Sequence, residues 1–211
     1  MLRVMIADDH EIVRHGVRNL VVAHSGWEVC GEAGDGRQAA DVAAKTQPDV
    51  AVLDVALPLL NGIAAARLIR KSSPRTRLLL FTMHDDEETV QQALLTGVRG
   101  YVLKSEGEKR LEEAISALGA NRPYFSSGIA QVLVSASLSE PKRSALEMFT
   151  TRELEVAHLI AEGYSNKAIA RQLHISVKTV ESHRTAVLRK AQVHTAAEFV
   201  RFAIRHNLIR A

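Results

Sequence analysis

Four consecutive apolar residues, Val50-Ala51-Val52-Leu53, run straight into a carboxylate, Asp54. A strand with one wet face alternates apolar and polar residues. An unbroken apolar run has to be covered on both faces, and helices packed on both sides of a parallel sheet supply that cover. The surrounding chain fits this demand. Leu2–Ala7, Trp27–Ala33, 78–82 and 101–103 also read as strands. Segments 12–23, 36–45, 64–71, Glu87–Leu95 and 108–118 carry apolar residues at helical spacing, and Pro74 stops the third of them. Five strands alternating with five helices predict an α/β doubly wound fold with a five-stranded parallel sheet.

After residue 120 the pattern changes. Residues 121–147 contain Pro123, Gly128, Pro141 and six serines. They read as a linker, with a short helix expected over 129–134. From Phe149 onward only helical patterns remain. Thr150 or Thr151, Ser165, Ser176 and Thr195 stand as N-caps of four helices. The expected organisation is therefore 1–120, a linker over 121–147, and an all-α four-helix unit over 148–211.

Charge divides along the same lines. Residues 1–120 carry 14 Lys+Arg against 17 Asp+Glu, whereas residues 149–211 carry 10 against 5. The basic block is the candidate partner for a polyanion. A single cysteine, Cys30, rules out an internal disulfide framework and fits a reducing cytoplasm. No apolar stretch is long enough to span a bilayer. The N-terminus enters a strand at once, so no signal peptide and no membrane partner are expected.

Chemistry gathers at the strand ends. Asp8 and Asp9 follow the first strand, Asp54 the third, Thr82 the fourth and Lys104 the fifth. In such sheets the working site lies beyond the carboxyl ends of the strands. An aspartate after a strand is commonly a turn former, and a lone lysine is commonly solvated. Their joint appearance on four strand ends argues for one site. Three carboxylates together repel one another and call for a cation, and oxygen-only ligation suits Mg²⁺. A carboxylate beside Mg²⁺ can attack a phosphoryl group, with Lys104 pairing to it and Thr82 donating to it.

The residues Ile6-Ala7-Asp8-Asp9-His10, Leu53-Asp54-Val55-Ala56-Leu57-Pro58, Asn61-Gly62, Phe81-Thr82 and Gly100-Tyr101-Val102-Leu103-Lys104 resemble the receiver domain of two-component response regulators, whose fold is CheY-like. The resemblance implies that Asp54 is the phosphoacceptor, served by a sensor histidine kinase. It implies that Asp8, Asp9, Asp54 and the Ala56 main-chain carbonyl hold Mg²⁺, and that Thr82 and Tyr101 form a switch pair beside Lys104. Ser105 stands where many receivers have proline. Ala56 and His84 flank the site and are expected to tune the lifetime of the acyl phosphate.

In the basic block, 165–190 reads as cap, helix, tight turn (Leu173-His174-Ile175-Ser176) and second helix. Ile169, Leu173, Ile175, Val180, Val187 and Leu188 have the spacing of a shared core, which describes a helix-turn-helix. The stretches Phe149-Thr150-Thr151-Arg152-Glu153, Ile160-Ala161-Glu162-Gly163, 165–170 and 175–183 resemble the LuxR/FixJ/NarL DNA-binding domain. The departures are Phe149 for leucine, Thr151 for proline and Ala191-Gln192 for leucine-glycine. The resemblance makes 176–190 the recognition helix in double-stranded DNA. Glu181, Ser182 and Thr185 are then expected at base edges, and Asn166, Lys178, Thr179, Arg184, Arg189 and Lys190 at phosphates. It also implies a homodimer when phosphorylated. An aspartate-nucleophile phosphohydrolase needs a second carboxylate two residues after the nucleophile, and position 56 is Ala, so an enzyme is not expected. A phosphorylation-independent interaction module is the other reading.

Overall fold

The computed structural model describes residues 1–130, 132, 148–205 and 208. The chain divides into two compact units, Met1–Pro141 and Lys142–Ala211.

The first unit is a parallel sheet covered on both faces. Its elements run β1 (Leu2–Ala7), α1 (Glu11–Ala23), β2 (Trp27–Ala33), α2 (Gly36–Thr46), β3 (Val50–Leu53), α3 (Gly62–Ser72), β4 (Arg77–Thr82), α4 (Glu87–Leu95), β5 (Gly100–Leu103) and α5 (Glu108–Gly119), then β6 (Tyr124–Phe125). The strand order is β2-β1-β3-β4-β5-β6. β3 lies in mid-sheet with all four residues buried, as its unbroken apolar run demands. Val4, Ile6, Val50, Val52, Leu79 and Val102 meet α1 and α5 residues such as Val17, Val21, Leu111 and Ile115 in one aliphatic core.

The expected five strands are corrected to six among the described residues. β6 pairs with β5 through Tyr124 N–H to the Arg99 carbonyl at 3.0 Å and Ser126 N–H to the Tyr101 carbonyl at 3.0 Å. It comes from the segment read as linker, where two residues after Pro123 are too few to display a strand period. Tyr124 packs on the core and donates its hydroxyl to Glu113 Oε2 at 2.7 Å. Residues 127–130 and 132 are helical. The rest of the helix expected over 129–134 lies outside the described residues.

The register aligns the strand ends. Ala7 pairs with Leu53, so Asp8 and Asp54 leave adjacent strands side by side. Thr82 pairs with Leu103, so Lys104 emerges next to Thr82. α3 begins two residues earlier than the sequence pattern predicts, because Asn61 caps it by accepting from Ala64 N–H at 2.9 Å.

Among the described residues, the second unit has four helices, α6 (Thr151–Ala161), α7 (Asn166–Gln172), α8 (Val177–Lys190) and α9 (Ala196–Arg205). Thr150 and Glu153 close a capping box on α6, and Ser165 and Ser176 cap α7 and α8. Thr195 accepts from Glu198 N–H at 3.1 Å, while Glu198 accepts from Thr195 and His194 N–H, which closes the same kind of box on α9. Leu159, Ile169, Val180, Val187 and Phe199 are fully buried between the helices, and Leu173, Ile175 and Leu188 are half-buried. Phe149, where leucine is usual, is buried and meets Phe202 edge-on, with ring centroids 6.4 Å apart.

α8 ends without the usual glycine. Gln192 adopts φ +56 and its N–H reaches the Arg189 carbonyl, while Val193 N–H reaches Leu188. This is a Schellman closure with glutamine in the left-handed position. The Cβ there costs about 1 kcal/mol. Gln192→Gly is expected to raise the stability of this unit by about that amount. A urea midpoint for the second unit that stays put or falls would show the closure is not strained.

Candidate functional site

The acidic pocket is built by strand register. Asp8 and Asp54 are buried at 3% and 2% exposure, while Asp9 is exposed at the rim. Asp54 N–H is fixed on the Ala7 carbonyl at 2.8 Å, which seats it beside β1. The loop after it is tightly folded. Gly62 N–H returns to the Val55 carbonyl at 2.8 Å, and a Cβ on Gly62 would sit 1.9 Å from the Asp54 carbonyl oxygen. Only glycine lets α3 start this close to the aspartate.

Lys104 crosses the pocket. Its Nζ lies 2.6 Å from Asp8 Oδ2 and 2.8 Å from Asp54 Oδ2. Burial works to lower its pKa, but hydrogen bonds to Asp54 and Asp8 and their charges outweigh burial and raise it. The lysine is therefore cationic throughout the neutral range. The other oxygen of Asp54, Oδ1, is buried and has no hydrogen-bond partner. A buried carboxylate oxygen left bare is costly and marks a place for a ligand or cation. Asp8, Asp9, His10 and Asp54 each offer a ligating atom, all within 4.8 Å of one another. His10 was not singled out as a site residue in the sequence. Its Nδ1 is 2.8 Å from Asp9 Oδ1, and its position directly after the aspartate pair is the one signal that could have found it.

Thr82 is fully buried at the end of β4 and accepts from His84 N–H at 3.3 Å. The His84 carbonyl in turn accepts from the Tyr101 hydroxyl at 2.8 Å. Thr82, the 82–84 backbone and Tyr101 thus form one connected path. Burial, followed by the charges of Asp86, Asp85 and Asp54, pushes the Tyr101 phenol well above its ordinary pKa, so it remains a donor. Ser105 is the middle residue of a 3-10 turn, Lys104–Glu106, in which Glu106 Oε2 accepts from Leu103 N–H at 3.2 Å.

In the second unit, one face of α8 is open to solvent. Lys178, Thr179, Glu181, Ser182, Thr185 and Arg189 are all exposed. Ser182 donates back to the Lys178 carbonyl and Thr185 to the Glu181 carbonyl, at 3.1 and 2.9 Å. Each hydroxyl oxygen keeps its capacity to accept a further hydrogen bond. Arg184 and Asn166 are half-buried and joined at 3.3 Å. Lys190 pairs with Glu153 Oε2 at 2.6 Å, which ties the end of α8 to the start of α6. Arg152 donates to the Leu173 carbonyl at 2.7 Å and pairs with the fully buried Glu155, so α6 also holds the turn in front of α8.

A buried aspartate pocket at the strand ends of one unit and a helix-turn-helix with an open polar face in the other define a signalling protein with a DNA-reading end. The response regulator receiver domain matches residues 4–116, and the luxR family of bacterial regulatory proteins matches residues 147–203. The chain belongs to the two-component response regulators with a LuxR-type helix-turn-helix, which are DNA-binding transcription regulators. It is similar to the response regulator protein VraR of Staphylococcus aureus, with 35% identity over 210 residues and 99% of each chain covered. Among solved structures, a LuxR-family two-component response regulator from an Aurantimonas species matches with TM-score 0.61 and 39% identity. That match covers 65% of this chain and 98% of the other. RcsB from Salmonella enterica, bound to the promoter rprA in the presence of phosphomimetic BeF3-, matches with TM-score 0.60 and 25% identity. It covers 96% of this chain and 98% of that one. The receiver family uses an acidic cluster of this kind for Mg²⁺. The bare Asp54 oxygen and the all-oxygen carboxylate set fit such an ion. No described helix is long and apolar enough to cross a membrane.

Proposed function

We propose that Asp54 is the phosphoacceptor of a Mg²⁺-dependent switch that a sensor histidine kinase loads, and that the switch controls dimerisation and DNA binding. The observation that carries this reading is a buried aspartate with one oxygen bare and the other held by lysine. Mg²⁺, held by Asp8, Asp9, Asp54 and the Ala56 carbonyl, would neutralise charge on the transferring phosphoryl oxygens. Asp54 attacks phosphorus; the P–N bond of the donor phosphohistidine breaks as the O–P bond forms, and the donor imidazole takes up a proton. Lys104 exchanges its carboxylate partners for a phosphoryl oxygen, and the Thr82 hydroxyl donates to another. Moving Thr82 pulls on His84 N–H, whose residue carries the carbonyl that holds Tyr101. The working divisions are 1–120 as receiver, 121–147 as joint and 148–211 as DNA-binding unit, in the cytoplasm. The test is reductive trapping of the acyl phosphate after reaction with acetyl phosphate and Mg²⁺. The label is expected on the peptide holding Asp54, and a label elsewhere sinks the assignment.

On DNA, α8 is the recognition helix. Glu181, Ser182 and Thr185 read base edges; Asn166, Lys178, Thr179, Arg184 and Arg189 meet phosphates, and Lys190 contributes least because it is shared with Glu153. RcsB is described both as DNA-bound dimers and on a promoter with a phosphomimetic, which supports a phosphorylated homodimer here. Glu181→Ala is expected to relax preference at one base pair by about 1–3 kcal/mol. Lys178→Ala is expected to weaken binding to every sequence and to lower the salt slope by about 1. Binding titrations on a set of single-base variants at several salt concentrations separate the two effects. A Glu181→Ala protein with unaltered base preference removes Glu181 from the readers.

A further inference from the structure

The edge of the sheet opposite Asp54 holds a second polar feature. A pocket of about 630 Å³ opens where β4 and β5 begin, and Arg70, Arg75, Arg77 and Arg99 line it. Among the described residues, Asp49 is its sole acidic lining residue. The four arginines come from α3, the turn after it, β4 and the residue before β5, inside a unit whose overall charge is negative.

Among the described residues, none of the four pairs with a carboxylate. They are gathered by neutral acceptors instead. Asn121, at φ +60, accepts from Arg99 Nη1 at 2.9 Å and Arg77 Nε at 3.4 Å through one side-chain oxygen, and its carbonyl accepts from Arg99 Nη2 at 3.3 Å. Arg70 Nη1 donates to the Thr96 carbonyl at 3.1 Å. Its guanidinium lies against Gly97, where a Cβ would come within 2.5 Å of Nη1. Among the described residues, Arg75 has no side-chain hydrogen-bond partner. Solvated arginines splay apart by repulsion; here neutral groups hold them together and leave their charge uncompensated. Each guanidinium has five N–H donors in a planar fork that matches phosphate oxygens, and most of those donors are unused.

We propose that this pocket binds a small anion carrying two or more phosphate groups, clamped chiefly by Arg77 and Arg99. Four guanidiniums against one carboxylate leave an excess that a single phosphate does not offset, and the volume lies in the range of small-molecule sites. Among the described residues the lining contains no aromatic on which a base would stack, so the phosphate chain is what the pocket recognises. Free triphosphate and the triphosphate tail of a nucleotide share that chemistry.

The test is calorimetric titration of the full chain with sodium triphosphate and, separately, with ATP, in chelator. Binding is expected, and Arg77→Gln/Arg99→Gln is expected to weaken it at least tenfold, whereas Arg110→Gln, an arginine on α5 paired with Glu113, leaves it unchanged. Equal affinity for the two ligands assigns the site to the phosphate chain, and tighter ATP binding assigns it to a nucleotide. Amide shifts in wild-type protein are expected at Gly97, Arg99 and Asn121, and this mapping decides alone if the double variant fails to fold. Absence of binding overturns the proposal. So does undiminished binding by the folded double variant, shifts confined to 176–190, or arginine substitutions that weaken duplex DNA binding with no triphosphate bound.

Discussion

Asp54→Asn is expected to bring phosphoryl uptake from acetyl phosphate down to background and to erase the gain in DNA affinity that the phosphodonor gives the wild type. The amide lacks the nucleophilic carboxylate, so no acyl phosphate forms. Allosteric couplings are worth about 1–3 kcal/mol, which sets the gain to be lost at roughly 5–150-fold. The fold is expected to survive, because Lys104 keeps its 2.6 Å contact with Asp8 and Asp54 N–H keeps the Ala7 carbonyl. Gel shifts with and without donor, run beside thermal melts of both proteins, measure the effect. A variant that gains affinity as the wild type does would move the phosphoryl group to another residue. A wild type that takes up phosphate and gains nothing would leave the second unit independent of the switch.

Gly62→Ala is expected to cost about 3 kcal/mol, the upper range for forcing atoms into a packed site. A methyl there would lie 1.9 Å from the Asp54 oxygen, 2.8 Å from its carbonyl carbon and 3.0 Å from Val55 Cα. All three are backbone atoms, which cannot swing aside as a side chain does. Relief requires α3 to retreat or the Asp54 peptide to turn, and either change breaks the 2.8 Å bond from Gly62 N–H to Val55. Urea denaturation reads the loss of stability. Acetyl phosphate labelling of the folded fraction reads the second consequence, a slower reaction at a displaced Asp54. A variant as stable as the parent would mean that the loop after β3 yields more readily than its hydrogen bonds suggest.

The parallel sheet was legible because β3 is apolar without interruption and helical spacing alternates with the strand-like runs around it, and the carboxylate site because β1, β3, β4 and β5 each end on or run into a polar residue. Period and position carry that information along the chain. β6 escaped notice because two residues have no period, and because Pro123 and the serines after it advertise a loop. The start of α3 was hidden behind Asn61, whose capping role depends on a backbone turn rather than on apolar spacing. The Lys190–Glu153 pair, and the approach of Arg99 to the neighbouring Arg70, Arg75 and Arg77, unite residues distant in sequence, and nothing local marks such pairings. Gln192 is a different case. Its absent glycine was visible, but the helix closes by the same motif and accepts the strain.

The small sixth strand bears on how the molecule is strung together. The segment that leaves the receiver begins stitched by two amide hydrogens to the carbonyls of Arg99 and Tyr101. Tyr101 is therefore gripped at both ends, by its hydroxyl on His84 and by its main chain on the departing segment. The root of this tether, residues 124–126, therefore belongs to the sheet. Whatever displaces β5 displaces the first residues of the tether with it.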